Sequence, residues 1–139
     1  MPKPRAFTTL RLLGLLPVAI AILWVAGMAH LRNYPLSGME WATLVAGGFA
    51  LHAIGTRMWP PRPAPKLPEG ATPGAVAALA AAMVAVLAAI VGGGLEHWIT
   101  PARDATSSWA LRTLWHTACV FAFSYCGFLH RLLTAPKRT

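Results

Sequence analysis

Two stretches of this chain, Leu12 to Ala29 and Pro73 to Leu95, contain no charged residue, and that absence constrains the fold more than any motif does. At ~1.5 Å rise per helical residue, about 20 apolar residues cross the ~30 Å hydrocarbon core of a bilayer. Two further runs, Trp41 to Thr56 and Trp109 to Leu133, are apolar with few interruptions. With 56% of 139 residues hydrophobic and 12% charged, the apolar residues are gathered into runs instead of alternating with polar ones, which is membrane composition. The net charge of +8 would suggest nucleic acid in a soluble protein. Here the basic residues flank apolar runs, so the lipid bilayer and its anionic headgroups are the expected partner, and nucleic acid is not.

The expected fold is an all-α integral membrane protein: one domain over 1–139, with four transmembrane helices in an up-down-up-down bundle and both termini cytoplasmic. The spans fall at about 12–30, 40–57, 73–97 and 108–133. Pro17 interrupts the first and predicts a bend in its cytoplasmic half. A signal peptide shares the basic start, and Gly27-Met28-Ala29 resembles a cleavage site, but the apolar region exceeds the usual ~7–15 residues, which favours a retained span. Ser37-Gly38-Met39-Glu40 offers a capping box ahead of the second span. The connector 58–72 is too rich in proline for helix or sheet and predicts an extended segment. Thr72 and Pro73 open the third span as cap and first residue, and Ser107 or Ser108 caps the fourth.

Along the third span Gly74, Ala78, Ala81, Ala85, Ala88 and Gly92 recur at three- and four-residue steps, a smooth ridge that lets a neighbouring backbone approach closely. Cys119 and Cys126 are seven residues apart on one helix, ~10 Å and beyond bridging distance, and are expected as small core residues. The tryptophans, mostly at span ends, are expected as interfacial anchors.

Orientation follows from the positive-inside rule. Lys3, Arg5 and Arg11 precede the first span, Arg57, Arg62 and Lys66 lie between the second and third, and Arg131, Lys137 and Arg138 follow the fourth. The opposite side carries Arg32, Arg103 and Arg112 against Glu40, Glu96 and Asp104. Both termini and the connector therefore face the cytoplasm, across what is expected to be a bacterial inner membrane.

Histidines carry the functional signal. His52 and His130 fall in the cytoplasmic half within about 4–8 Å of the boundary, His116 roughly 12 Å below the outer boundary, and His30 and His97 within ~5 Å of it. His116 and His130, fourteen residues apart on one helix, are separated by roughly 21 Å and look out within about 40° of one face. Ionisable residues inside a span are functional-site candidates by default, and imidazoles from facing helices are how a bundle holds haem iron. Glycines stand one turn from four of the five: Gly48 and Gly55 by His52, Gly27 by His30, Gly93 by His97 and Gly127 by His130. A plainer account is open for each residue, since interfacial histidines are common and glycines equally serve helix packing.

The segment LWHTACVFAFSYCGFLHRLL, with two histidines separated by thirteen residues, resembles the haem-carrying helices of small four-helix membrane b-type cytochromes related to the b561 group. That resemblance covers about 20 residues and implies haem b, one or two, with His130 and His116 each ligating a separate haem. The chain departs from the di-haem pattern because Gly38, fourteen residues before His52, lies outside the membrane, so the outer haem lacks its usual partner. The inner pair His52 and His130 is the better-supported site, and His30 or His97 would have to serve the outer one.

The expected function is thus a membrane electron-transfer subunit or haem-binding anchor working with a redox partner or larger membrane complex, with a quinone as a further partner. The alternative is a haem-free accessory or assembly subunit of such a complex. A small transporter using histidines and Glu96 ranks lowest, because no acid lies at mid-depth. No nucleophile or acid–base constellation exists to support hydrolysis or group transfer, so any enzymatic role is that of an electron-transfer component.

Overall fold

The computed structural model describes residues 4–58, 66–99 and 108–134, with side chains over 9–58, 66–95 and 108–134. It is all-α: α1 Pro4–Leu31, α2 Gly38–Met58, α3 Pro73–Ile99 and α4 Trp109–Thr134. All four reach about 30 Å or more at 1.5 Å per residue, so apolarity distinguishes them better than length does. Thr9–Leu31 within α1 and Pro73–Leu95 within α3 are long and apolar enough to cross a membrane. Pro17 lies inside an unbroken α1. Residues 59–65 of the proline-rich connector, the 100–107 turn and the basic tail from 135 lie outside the described residues.

Each helix boundary has a local cause. Asn33, at φ 62°, closes α1: Tyr34 N–H donates to the Ala29 carbonyl at 2.9 Å and Asn33 N–H to that of His30 at 3.0 Å, the paired bonds of a Schellman ending. The capping box forms as expected. Ser37 Oγ accepts from Glu40 N–H at 3.4 Å, while Glu40 Oε2 accepts from the Ser37 N–H and hydroxyl at 2.8 and 2.7 Å. Tyr34 adds its hydroxyl to Glu40 Oε1 at 2.6 Å. At this water end of α2, that hydroxyl and the Ser37 donors hold the Glu40 carboxyl down at about 2, and the same bond pushes the Tyr34 phenol up. Thr72 Oγ1 caps α3 through Ala75 N–H at 3.2 Å, and Ser108 Oγ caps α4 through Leu111 N–H at 3.2 Å. Gly70, at φ 76°, makes the turn before α3, a conformation that glycine adopts without strain.

The helices pack as a row, α2 beside α1, α1 beside α4, and α4 beside α3. Among the described residues α2 touches α1 alone and buries no side chain. The α3–α4 contact is the closest, and the ridge explains it. Ala77 and Ala81 are 0% exposed and Ala85 5%, and Gly93 is buried beside them. The buried line thus runs through Ala77, Ala81 and Ala85 at strict four-residue steps, with Ala78 and Ala88 on its shoulders. The opposite face of α3 is bulky and open, with Leu79, Met83, Leu87 and Ile90 all exposed. Cys119 is buried and Cys126 half-buried, both as free thiols.

Two tryptophans expected at the interface also make contacts between helices. A Cβ built on Gly27 of α1 would fall inside the Trp115 indole, and Trp115 Nε1 donates to the Trp24 carbonyl at 3.3 Å. Trp109 Nε1 donates to the Gly93 carbonyl at 2.7 Å, tying the start of α4 to the end of α3. Trp41 stays exposed, while Trp59 and the Trp98 side chain lie outside the described residues. A contrast between glycines follows. Gly27→Ala is expected to lower the thermal midpoint of the detergent-purified chain, because a ring held by a hydrogen bond must move, at about 1–3 kcal/mol. Gly47→Ala, into open space on α2, is expected to hold or raise it by up to ~1 kcal/mol through helix propensity. Equal shifts in the two variants would remove the Gly27–Trp115 contact from any role in the α1–α4 packing.

Candidate functional site

Placing the histidines begins with α4, whose neighbours are α1 on one side and α3 on the other. The two α4 histidines were expected to share one face, and both rings lie beside α1, with His116 reaching α3 as well. His130 lies against α1, where a Cβ built on Gly14 would stand 2.9 Å from its Nε2. His116 lies against α3, its Nε2 filling the notch at Gly92, with the Trp24 ring of α1 across from it at 5.1 Å and tilted 47°. The residual ~40° of azimuth over fourteen residues is enough to bring α3 within reach of His116 in a row where α4 has two flanking neighbours.

Glycine provides the room, though across helices and not along them. Gly14 and Gly92 are the positions where imidazoles fit, and neither is one turn from a histidine in sequence. Of the glycines expected to serve, Gly27 is taken by Trp115, Gly93 faces Thr113 and Trp109, and Gly48 rests on Ile22 and Val18. Gly55 and Gly127, beside His52 and His130, face open space.

His52 and His130 sit on α2 and α4, which make no direct helix contact among the described residues. His52 is half-buried and His130 likewise. A porphyrin held between α2 and α4 by these two imidazoles would have the side-chain-free positions Gly55 and Gly127 one turn from its ligands. Offering the His130 Nε2 to an iron requires the ring to turn out of the Gly14 notch. The outer pairing is not assembled among the described side chains. His116 has its Nε2 lodged at Gly92, His30 is exposed at the end of α1 and does not line the space beside His116, and the His97 side chain lies outside the described residues. Among the described residues no group of three or more metal-ligating side chains forms.

Beside His116 is a cavity of about 560 Å³ between α1, α3 and α4, walled by Trp24, Val25, Met28 and Leu95, with Arg32 and Tyr34 at its water end. Its volume is in the ordinary range for ligand sites. Sequence inspection centred on histidines passed over it, yet Trp24, Met28 and Arg32 recur at four-residue steps, and that spacing marks one helix face. Trp24 Nε1 and Thr113 Oγ1 are enclosed nearby without a hydrogen-bond partner. Compared with family models, with curated proteins and with solved structures, the chain matches none.

Proposed function

We propose that this is a four-span protein of the bacterial inner membrane that binds b-type haem between α2 and α4 through His52 and His130, and serves as an electron-transfer subunit or anchor. The membrane part rests on where the apolar surface goes. Only 11% of the α1 window and 17% of the α3 window is buried inside the chain, whereas the core helix of a soluble protein is mostly buried. Leaving Leu79, Met83, Leu87 and Ile90 in water would forgo about 1.5–3 kcal/mol each, and lipid removes that penalty. The packing of α1 against both α2 and α4 supports its retention as a span over its loss as a signal peptide. For α2 and α4, which carry more polar residues, insertion rests on their packing beside α1 and on the basic residues at their cytoplasmic ends. With both termini inside, a cysteine placed at Ala105 is expected to react with a probe confined to the outer side and one at Ala64 to be protected. Labelling at 64 from outside would overturn this topology.

The single observation that carries the haem reading is that His52 and His130 are both half-buried beside glycines, Gly55 and Gly127, that face open space. Bound haem supplies one-electron redox chemistry. The chain's own residues would hold it with two imidazoles, make space with Gly55 and Gly127, and exclude water with the apolar faces of α1 and α4. A redox partner or larger membrane complex, with quinone as the lipid-soluble donor or acceptor, belongs to this reading. A dithionite-reduced minus oxidised spectrum of the purified protein tests it, with a sharp α band near ~560 nm expected for bis-histidine haem b. A flat spectrum would favour the second reading, a haem-free accessory subunit, which has its own support in the loosely held, unburied α2.

A further inference from the structure

The His130 ring has two places to go, and the structure shows it in one of them. We infer that Gly14 is a positioning residue for His130: its notch parks the imidazole on α1, and the ring must swing out over Gly127 before its Nε2 can bond iron, so that α1 gates the inner site. This inference rests on the haem reading above and adds the step that controls it.

The parked position is end-on. A Cβ built on Gly14 would stand 2.9 Å from Nε2 and 3.3 Å from both Cδ2 and Cε1. The ring tip, carrying the nitrogen farthest from its own backbone, is therefore aimed at α1. The second position lies on α4 itself. Long side chains on a helix choose between two χ1 wells and lean back over the turn before them. For His130 that turn carries Gly127, three residues earlier, where an added Cβ would meet nothing within 4 Å. Moving between the two positions takes side-chain torsions only, while the backbone stays helical to Thr134.

His116, in the other glycine notch, has no such exit. The turn before it carries Arg112 and Thr113 in place of glycine, and the Trp24 ring stands across from it at 5.1 Å. The Gly14 contact also yields readily to substitution. Alanine there would meet the free end of a side chain with space to move into, and no backbone, so the ring turns and the helices stay together.

Two variants of opposite sign test the gate in the full chain, purified in detergent and loaded with haem only in a second step. The first readout is the rate at which diethyl pyrocarbonate modifies His130, followed by peptide mass mapping. Gly14→Ala is expected to raise that rate about three- to tenfold, the population change set by crowding the parked rotamer. Haem affinity in a titration with hemin should tighten by a similar factor, because the parked fraction no longer withholds the ligand. Gly127→Val, whose β-branch crowds the side chain three residues on, is expected to lower the modification rate. A purely structural role would move both variants the same way. An unchanged or lower rate in Gly14→Ala, or a rise in both variants, overturns the gate. Should Gly14→Ala fail to fold, the direction of the Gly127→Val change decides alone. Opposite shifts in His130 reactivity beside a flat reduced minus oxidised spectrum would remove the haem reading and leave the two-position ring standing, so the two failures are distinguishable.

Discussion

His52→Ala and His130→Ala are each expected to abolish the ~560 nm band of the reduced protein while leaving membrane insertion intact. Each of the two imidazoles would hold the haem iron, and loss of even an outer-shell partner costs ~10–100-fold in metal affinity, so loss of a ligand itself should exceed that. His116→Ala provides the contrast. Its ring is keyed into Gly92 of α3 and faces no second histidine among the described side chains, so the substitution should loosen α3–α4 packing and leave the haem band in place. Gly14→Ala is a second control, because it denies His130 its notch on α1 without removing an imidazole, and the band should survive. Full haem content in both His52→Ala and His130→Ala would dismiss the inner site. Loss of the band in His116→Ala, with retention in His130→Ala, would move it to the outer end and restore the arrangement that the resemblance to b-type cytochromes implies.

Replacing Ala81 or Ala85 by Leu is expected to be the most damaging change away from the histidines. Both methyl groups are buried in the α3–α4 contact. In lipid a separated helix exchanges protein contacts for equally apolar tails, so association depends on close van der Waals packing. A leucine side chain at a site with no free space must either leave its preferred rotamer or push α4 away, typically at 1–3 kcal/mol. Separation would also forfeit many contacts of about 0.1–0.2 kcal/mol each, and put the Trp109–Gly93 hydrogen bond at risk. Leu87→Ile, on the opposite face at 63% exposure, should be close to neutral. The thermal midpoint of the purified chain checks this, and equal tolerance of Leu at Ala81, Ala85 and Ala78 would show that α3 packs through some other face.

Much of this architecture was readable from local residues because its causes are local. The cap at Ser37 and Glu40, the starts of α3 at Thr72 and α4 at Ser108, and the small-residue ridge of α3 all depend on neighbours within a turn or two, and each formed where the residues indicated. The ridge was displaced by one position at its start, to Ala77, because a stripe of alanines is wide enough that only the neighbouring helix selects its centre.

What the sequence could not supply was the partner of each side chain. Intrahelical spacing marked glycines beside histidines as room for a porphyrin; the notches that the imidazoles themselves fill are Gly14 and Gly92, from other helices. Helical periodicity placed His116 and His130 on one face, and both rings do lie beside α1, but the row α2–α1–α4–α3 adds α3 as a second neighbour of His116. By itself the chain determined four helices, their caps and their apolar surfaces, since these follow from hydrogen bonds and burial within a single segment. Which glycine notches His116 and His130 fill, and the cavity under Arg32, were decided only by the tertiary structure, because they depend on which glycine of a distant segment lets another helix come close.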